Sequence, residues 1–217
     1  MESLSDHGMW LRWIHFIAGI TWIGLLWFFN FINGPFTNAL EADVRSKVIP
    51  QLMPRTLWWF RWGAAFTWIT GVVYGMAVLP AYNGGHGEFF NTTRGWWILL
   101  AFVYGSVMAF NVWFMIWPRQ KKIISATIKG ENPPEKAGWA KTATNCSRVN
   151  TYLSFGLLFG MGAAKHRGEA SLSTALPVDF QGWLVEAVIW TLIGFLFAWL
   201  GIHKVGPAVG KNWQPTS

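Results

Sequence analysis

Residues 9–32 read MWLRWIHFIAGITWIGLLWFFNFI, from Met9 to Ile32, with Arg12 as the one charged side chain. An α-helix rises about 1.5 Å per residue, so a run of this length can cross a hydrocarbon core roughly 30 Å thick. Four more apolar runs follow, at 57–79, 95–117, 149–166 and 182–203. The fourth is short, and the Ser and Thr at its start can extend it. Asn33-Gly34-Pro35, Pro80, Pro118 and Gly206-Pro207 are read as the stops of the other four, because a proline inside a helix loses a hydrogen bond and crowds the preceding turn. The fold expected is an all-α integral membrane protein, a bundle of about five transmembrane helices, with residues 1–217 forming a single domain.

Composition supports this reading. Of the 217 residues, 53% are hydrophobic and only 12% charged, against about a quarter charged in soluble domains. The chain has 17 Trp, a residue that gathers at membrane–water interfaces. The net charge of +7 is not read as nucleic-acid binding, since the basic residues sit in loops beside the spans. Arg45, Lys47 and Arg55 precede the second run, a group from Arg119 to Arg148 follows the third, and Lys204 and Lys211 follow the fifth. With five spans these regions share one face, which the positive-inside rule makes cytoplasmic. The N-terminus is then outside and the C-terminus is cytoplasmic. Glu2 and Asp6 stand where a signal peptide would be basic, so the first run is read as a retained helix. Cys146 is the one cysteine, which excludes an intrachain disulfide and a Cys-x-x-Cys-His haem attachment.

Polar groups in a membrane span are seldom placed without a role. Of the five histidines, His7, His15, His86 and His166 fall towards the outer face, and His203 towards the cytoplasm. His15 lies about two turns into the first run, followed by Ala18, Gly19 and Trp22, and the small residues leave room for a flat ligand or a close helix. His166 closes the fourth run after Gly162 and Ala163. Antiparallel helices can bring His15 and His166 to one depth, where neutral imidazoles could hold a b-type haem without any cysteine. His15, Gly19, Trp22 and His166 are the candidate cofactor residues, and His15, His166 and His86 the candidate metal ligands. The plainer alternatives are an interfacial hydrogen-bonding role for each histidine, helix packing for the glycines, and a charge partner at a helix end for His203. Asn30, Asn33 and Asn111 are candidates for hydrogen bonds between helices.

Four segments carry a resemblance. They are His15 to Gly24, Trp62-Gly63 through Thr70-Gly71, Asn111 to Lys122, and Ser147 to Ser154 leading to His166. Together they resemble the N-terminal membrane domain of the bacterial membrane-bound urate oxidase (urate hydroxylase) family, without its C-terminal cytochrome c. The resemblance implies a membrane scaffold with His15 and His166 at matching positions, and urate oxidation with electrons passed to the respiratory chain. The expected function is a redox subunit that binds haem b near the periplasmic face and exchanges electrons with other membrane subunits or a separate cytochrome c. A non-catalytic accessory subunit of a larger membrane complex, and a urate oxidase-like oxidoreductase, are the alternatives.

Overall fold

The structure is a computed structural model that describes residues 2–82, 84–166 and 179–209. Every regular element among them is helical. Helix α1 runs from Glu2–Trp27 through a π-helical turn, Phe28–Asn33, into a last α-helical stretch, Gly34–Ala39. Helix α2 comprises Ala42–Val72, a π turn Val73–Val78, and Leu79–Tyr82. A short α3, His86–Phe90, leads to α4, which comprises Thr93–Phe110, a π turn Asn111–Ile116, and Trp117–Lys129. Helix α5 is unbroken from Lys136–His166. Helix α6 comprises Phe180–Leu200, a π turn Gly201–Val205, and Gly206–Ala208.

The helix starts follow local chemistry. The Thr92 hydroxyl accepts from the Gly95 N–H at 3.1 Å, and Asp179 Oδ1 accepts from the Gly182 N–H at 3.0 Å, each meeting a donor that the first turn leaves unpaired. Gly130, with φ of 70°, closes α4 in the left-handed conformation.

The prolines read as stops do not end the helices. Pro35, Pro80, Pro118 and Pro207 each sit as the second residue after a π turn. A proline ring collides with the carbonyl four residues back and offers that carbonyl no N–H. The wider π turn moves the carbonyl away, so the helix continues. At Pro118 the freed carbonyl finds another donor. Four residues before Pro118 is Phe114, and Arg119 Nη1 donates to the Met115 carbonyl at 2.9 Å and to that of Phe114 at 3.5 Å.

Four helices, Gly8–Ala39, Ala42–Ala81, Thr93–Lys129 and Phe180–Ala208, are long and apolar enough to cross a bilayer. The protein is a multi-pass membrane protein. The fourth expected span is the C-terminal part of α5, which packs between α4 and α6 and also touches α1. Part of its buried face is polar. Asn150, Thr151 and Ser154 are all 0% exposed. Large side chains such as Phe16, Ile20, Leu192 and Leu196 lie exposed on the other helices, as a lipid-facing surface requires. Trp10 and Trp13 are exposed at one end of the bundle, and Trp58 and Trp59 at the other, in keeping with aromatic belts at two interfaces.

The core has two parts. Trp22, Leu26, Leu57, Phe60, Met108 and Val112 join α1, α2 and α4, while Trp97, Ala163, Ala164, Trp183 and Ala187 join α4, α5 and α6. Two of the expected interhelical asparagines bond across. Asn30 Nδ2 donates to Ser147 Oγ at 2.8 Å, and Asn111 Nδ2 to Asn150 Oδ1 at 2.8 Å. Asn150 Nδ2 in turn donates to the Met108 carbonyl at 2.9 Å. Replacing Asn150 by Ala removes the acceptor of the Asn111 side-chain amide and one of the two donors of the Met108 carbonyl, the other being the Asn111 backbone N–H, so Asn150→Ala is expected to cost about 1–3 kcal/mol. The check is the thermal unfolding midpoint in detergent, and an unchanged midpoint would deny the network a structural role.

Candidate functional site

His15 faces α2. Its Nδ1 lies 2.9 Å from the Thr67 carbonyl and 3.2 Å from Thr70 Oγ1. A carbonyl only accepts, so Nδ1 carries the proton and donates. In a neutral imidazole this leaves Nε2 with its lone pair free. The second partner is consistent, because Thr70 Oγ1 itself donates to the Phe66 carbonyl at 2.6 Å and so can accept from His15. The ring occupies space left by a glycine. A Cβ on Gly71 would stand 3.0 Å from His15 Cε1.

Two turns further along α1, the helices come into backbone contact. A Cβ on Gly63 would stand 3.2 Å from the Trp22 nitrogen and 3.3 Å from the Ala18 carbonyl oxygen. Gly63 and Gly71 therefore act together. The first lets the backbones meet, and the second leaves the imidazole its slot. Gly19 has room, since the nearest atom to a Cβ there is the Thr67 methyl at 3.7 Å. Trp22 is 1% exposed and belongs to the core, and its Nε1 has no hydrogen-bond partner.

His166 is the last residue of α5 and is exposed. Trp27 of α1 donates to Ser154 Oγ of α5 at 2.9 Å, and His15 and His166 each lie twelve residues outward from that contact. They are thus at similar depth. Their neighbours differ, for His15 is bonded to α2, whereas Ala163 and Ala164 beside His166 pack with Trp97 and Trp183 of α4 and α6. No described hydrogen bond joins the two histidines.

His86, the first residue of α3, donates from Nε2 to the Met76 carbonyl at 2.7 Å. Met76 lies four residues before Pro80, so His86 satisfies a carbonyl that proline frees. His203 sits in the π turn of α6 with its ring 5.7 Å from that of Trp199. The side chain of His7 lies outside the described residues. Among the described residues no group of three or more His, Cys, Asp or Glu comes together. The sequence reading had not found Thr67, Thr70 and Gly71 as the partners of His15. The signal for them was Thr and Gly at helical spacing in the second apolar run.

Fold and site define a class, a polytopic helical membrane protein with an imidazole fixed by its Nδ1 between two spans. The family follows from comparison. The family model described as urate oxidase N-terminal matches residues 73–196, more than half of the chain, and the chain belongs to this family. The matched segment contains His86 and His166, while His15 and its partners on α2 precede it. No curated protein and no solved structure matches the chain.

Proposed function

We propose that the chain is a redox subunit of a bacterial inner membrane, holding a b-type haem through His15 near the periplasmic face and exchanging electrons with a separate partner, a cytochrome c or another membrane subunit. The observation that carries this reading is the His15 geometry. A histidine that ligates iron through one nitrogen has its other N–H tied to a carbonyl or carboxylate, which fixes the tautomer and makes the ligand more basic. Here Thr67 and Thr70 perform that task and Nε2 is left over. His166, at similar depth on α5, is the candidate second ligand. Arg12, one turn outward from His15 and 5.5 Å from the Tyr74 ring centre, is the cation available to a propionate. Bound haem would supply one-electron chemistry, and the protein residues orient it and keep His15 in one tautomer. The charge distribution supports the orientation, since the loops richest in Lys and Arg lie at the end opposite His15.

A reduced-minus-oxidised spectrum of the purified protein, with a pyridine haemochrome assay on the same sample, tests the reading. A b-type signal is expected. A folded preparation made in mild detergent that contains no haem overturns it. The family match favours a second reading, that the chain is the membrane part of a urate-oxidising enzyme. Urate consumption with an added electron acceptor is its test, and no turnover by a haem-loaded preparation would count against it.

A further inference from the structure

At the end of the bundle opposite His15, α1, α2, α4, α5 and α6 leave a cavity of about 560 Å³. Small-molecule sites occupy roughly 300–1,000 Å³. Asn33 in the wall lies eighteen residues along α1 from His15, roughly 27 Å at the α-helical rise, so the cavity stands apart from the haem reading. Its floor is apolar, formed by Met53, Leu57 and Phe60, each at most 8% exposed. Its wall holds Asn33, which is 8% exposed. The Asn33 Oδ1 is buried and has no hydrogen-bond partner, and Nδ2 reaches only the Met53 sulfur, at 3.8 Å. Buried amide oxygens are rarely left unmet, because the loss of water is uncompensated. Neighbouring Asn30 shows the contrast, since its amide is spent on the Leu26 carbonyl and Ser147. At the mouth stands Arg148, exposed and paired with no carboxylate among the described residues. No Asp or Glu lines the cavity.

These features select a ligand class. Arg148, with no acid nearby, asks for negative charge. Asn33 Oδ1 asks for a donor, which a quinone carbonyl or a bare carboxylate lacks. The floor asks for an apolar body. A polyphosphate would need more than one cation, and a metal ion would need acidic ligands that are absent from the lining. We propose that this cavity binds a small organic anion that also carries an O–H or N–H donor. The anionic group meets Arg148, the donor meets Asn33 Oδ1, and the apolar body lies on Leu57 and Phe60.

Equilibrium dialysis of the whole chain in mild detergent tests this, with 3-hydroxybenzoate and 4-hydroxybenzoate as probes. Benzoate keeps the charge without the donor, and the matching hydroxybenzamides keep the donor without the charge. At least one hydroxybenzoate should bind at one per chain, with both comparators about tenfold or more weaker. Asn33→Leu should erase the preference over benzoate, and Arg148→Gln the preference over hydroxybenzamide. Arg148 is exposed, so its variant should unfold at the wild-type temperature. Should Asn33→Leu fail to fold, the benzoate comparison on the wild type carries that arm. Failure of both hydroxybenzoates to bind, equal binding of either comparator, or undiminished binding in Arg148→Gln overturns the proposal.

Discussion

His15→Ala is expected to abolish the b-type spectrum, while His203→Ala leaves it intact. The first variant removes the one imidazole among the described side chains whose Nδ1 is fixed by α2 and whose Nε2 has no hydrogen-bond partner among the described residues. The second alters a ring at the far end of the bundle that rests on Trp199. Loss of signal alone could follow from unfolding, so two further measurements separate the cases. Imidazole added to His15→Ala should restore part of the signal, because the missing side chain leaves its own shape behind. Thr70→Val keeps His15 but removes one acceptor from Nδ1. It should weaken haem retention by about ten- to a hundredfold, the usual effect of losing a partner of a metal-bound histidine. A normal spectrum in His15→Ala would exclude His15 as a ligand and move the search to His166.

The largest expected effect on stability is at Gly63. A side chain there meets the Trp22 nitrogen, the Ala18 carbonyl and the Trp22 Cα at 3.2–3.4 Å, all of them backbone atoms. Backbone cannot turn aside as a flexible side chain can, so α1 and α2 must separate. Overpacking a core costs about 1–3 kcal/mol when side chains can yield. Here the cost for Leu should exceed that range and consume much of a total stability that is itself only about 5–15 kcal/mol. Gly63→Leu should therefore reach the membrane in folded form at a small fraction of the wild-type level, and Gly63→Ala at an intermediate one. Gly24 supplies the control. It is on the same pair of helices, but a Cβ there has nothing within 4 Å, so Gly24→Leu should behave as wild type. Equal yields and melting temperatures for the two Leu variants would show that the backbone contact at Gly63 is not limiting.

Class and element type were legible because apolar runs of membrane length have few other uses. Asn30 and Asn111 were legible as interhelical donors for a related reason, since an amide in an apolar span needs a partner. The helix ends were not. Proline was read as a stop by a rule that holds for the α-helix, and the structure uses a wider turn to escape it. The site was half legible. His15 stood out as an ionisable group among apolar ones, but Thr67, Thr70 and Gly71 are about fifty residues away, and only the packing of α1 on α2 makes them its partners. His86 was read as a candidate ligand because histidine in a glycine-rich loop is conspicuous. Its bond to the Met76 carbonyl is a consequence of Pro80 that no local pattern announces. The cavity near Asn33 was invisible because five helices contribute to it and none carries it alone.

The four π turns among the described residues also set the azimuths of the helix ends. Each extra residue held in a turn rotates everything beyond it by about 100° around the helix axis. A helical wheel drawn through the whole of α4 therefore superimposes two wheels with different origins, and the stripe that faces lipid before Asn111 is out of phase with the stripe after Ile116. Deleting one residue within 111–116 would rewind the turn, press the Pro118 ring against the Phe114 carbonyl, and swing Arg119, Lys121 and Lys122 to new azimuths while leaving every one of them in the sequence. The direction in which the charged ends of these helices point is thus encoded in the length of a turn, separately from the identity of the residues that carry the charge.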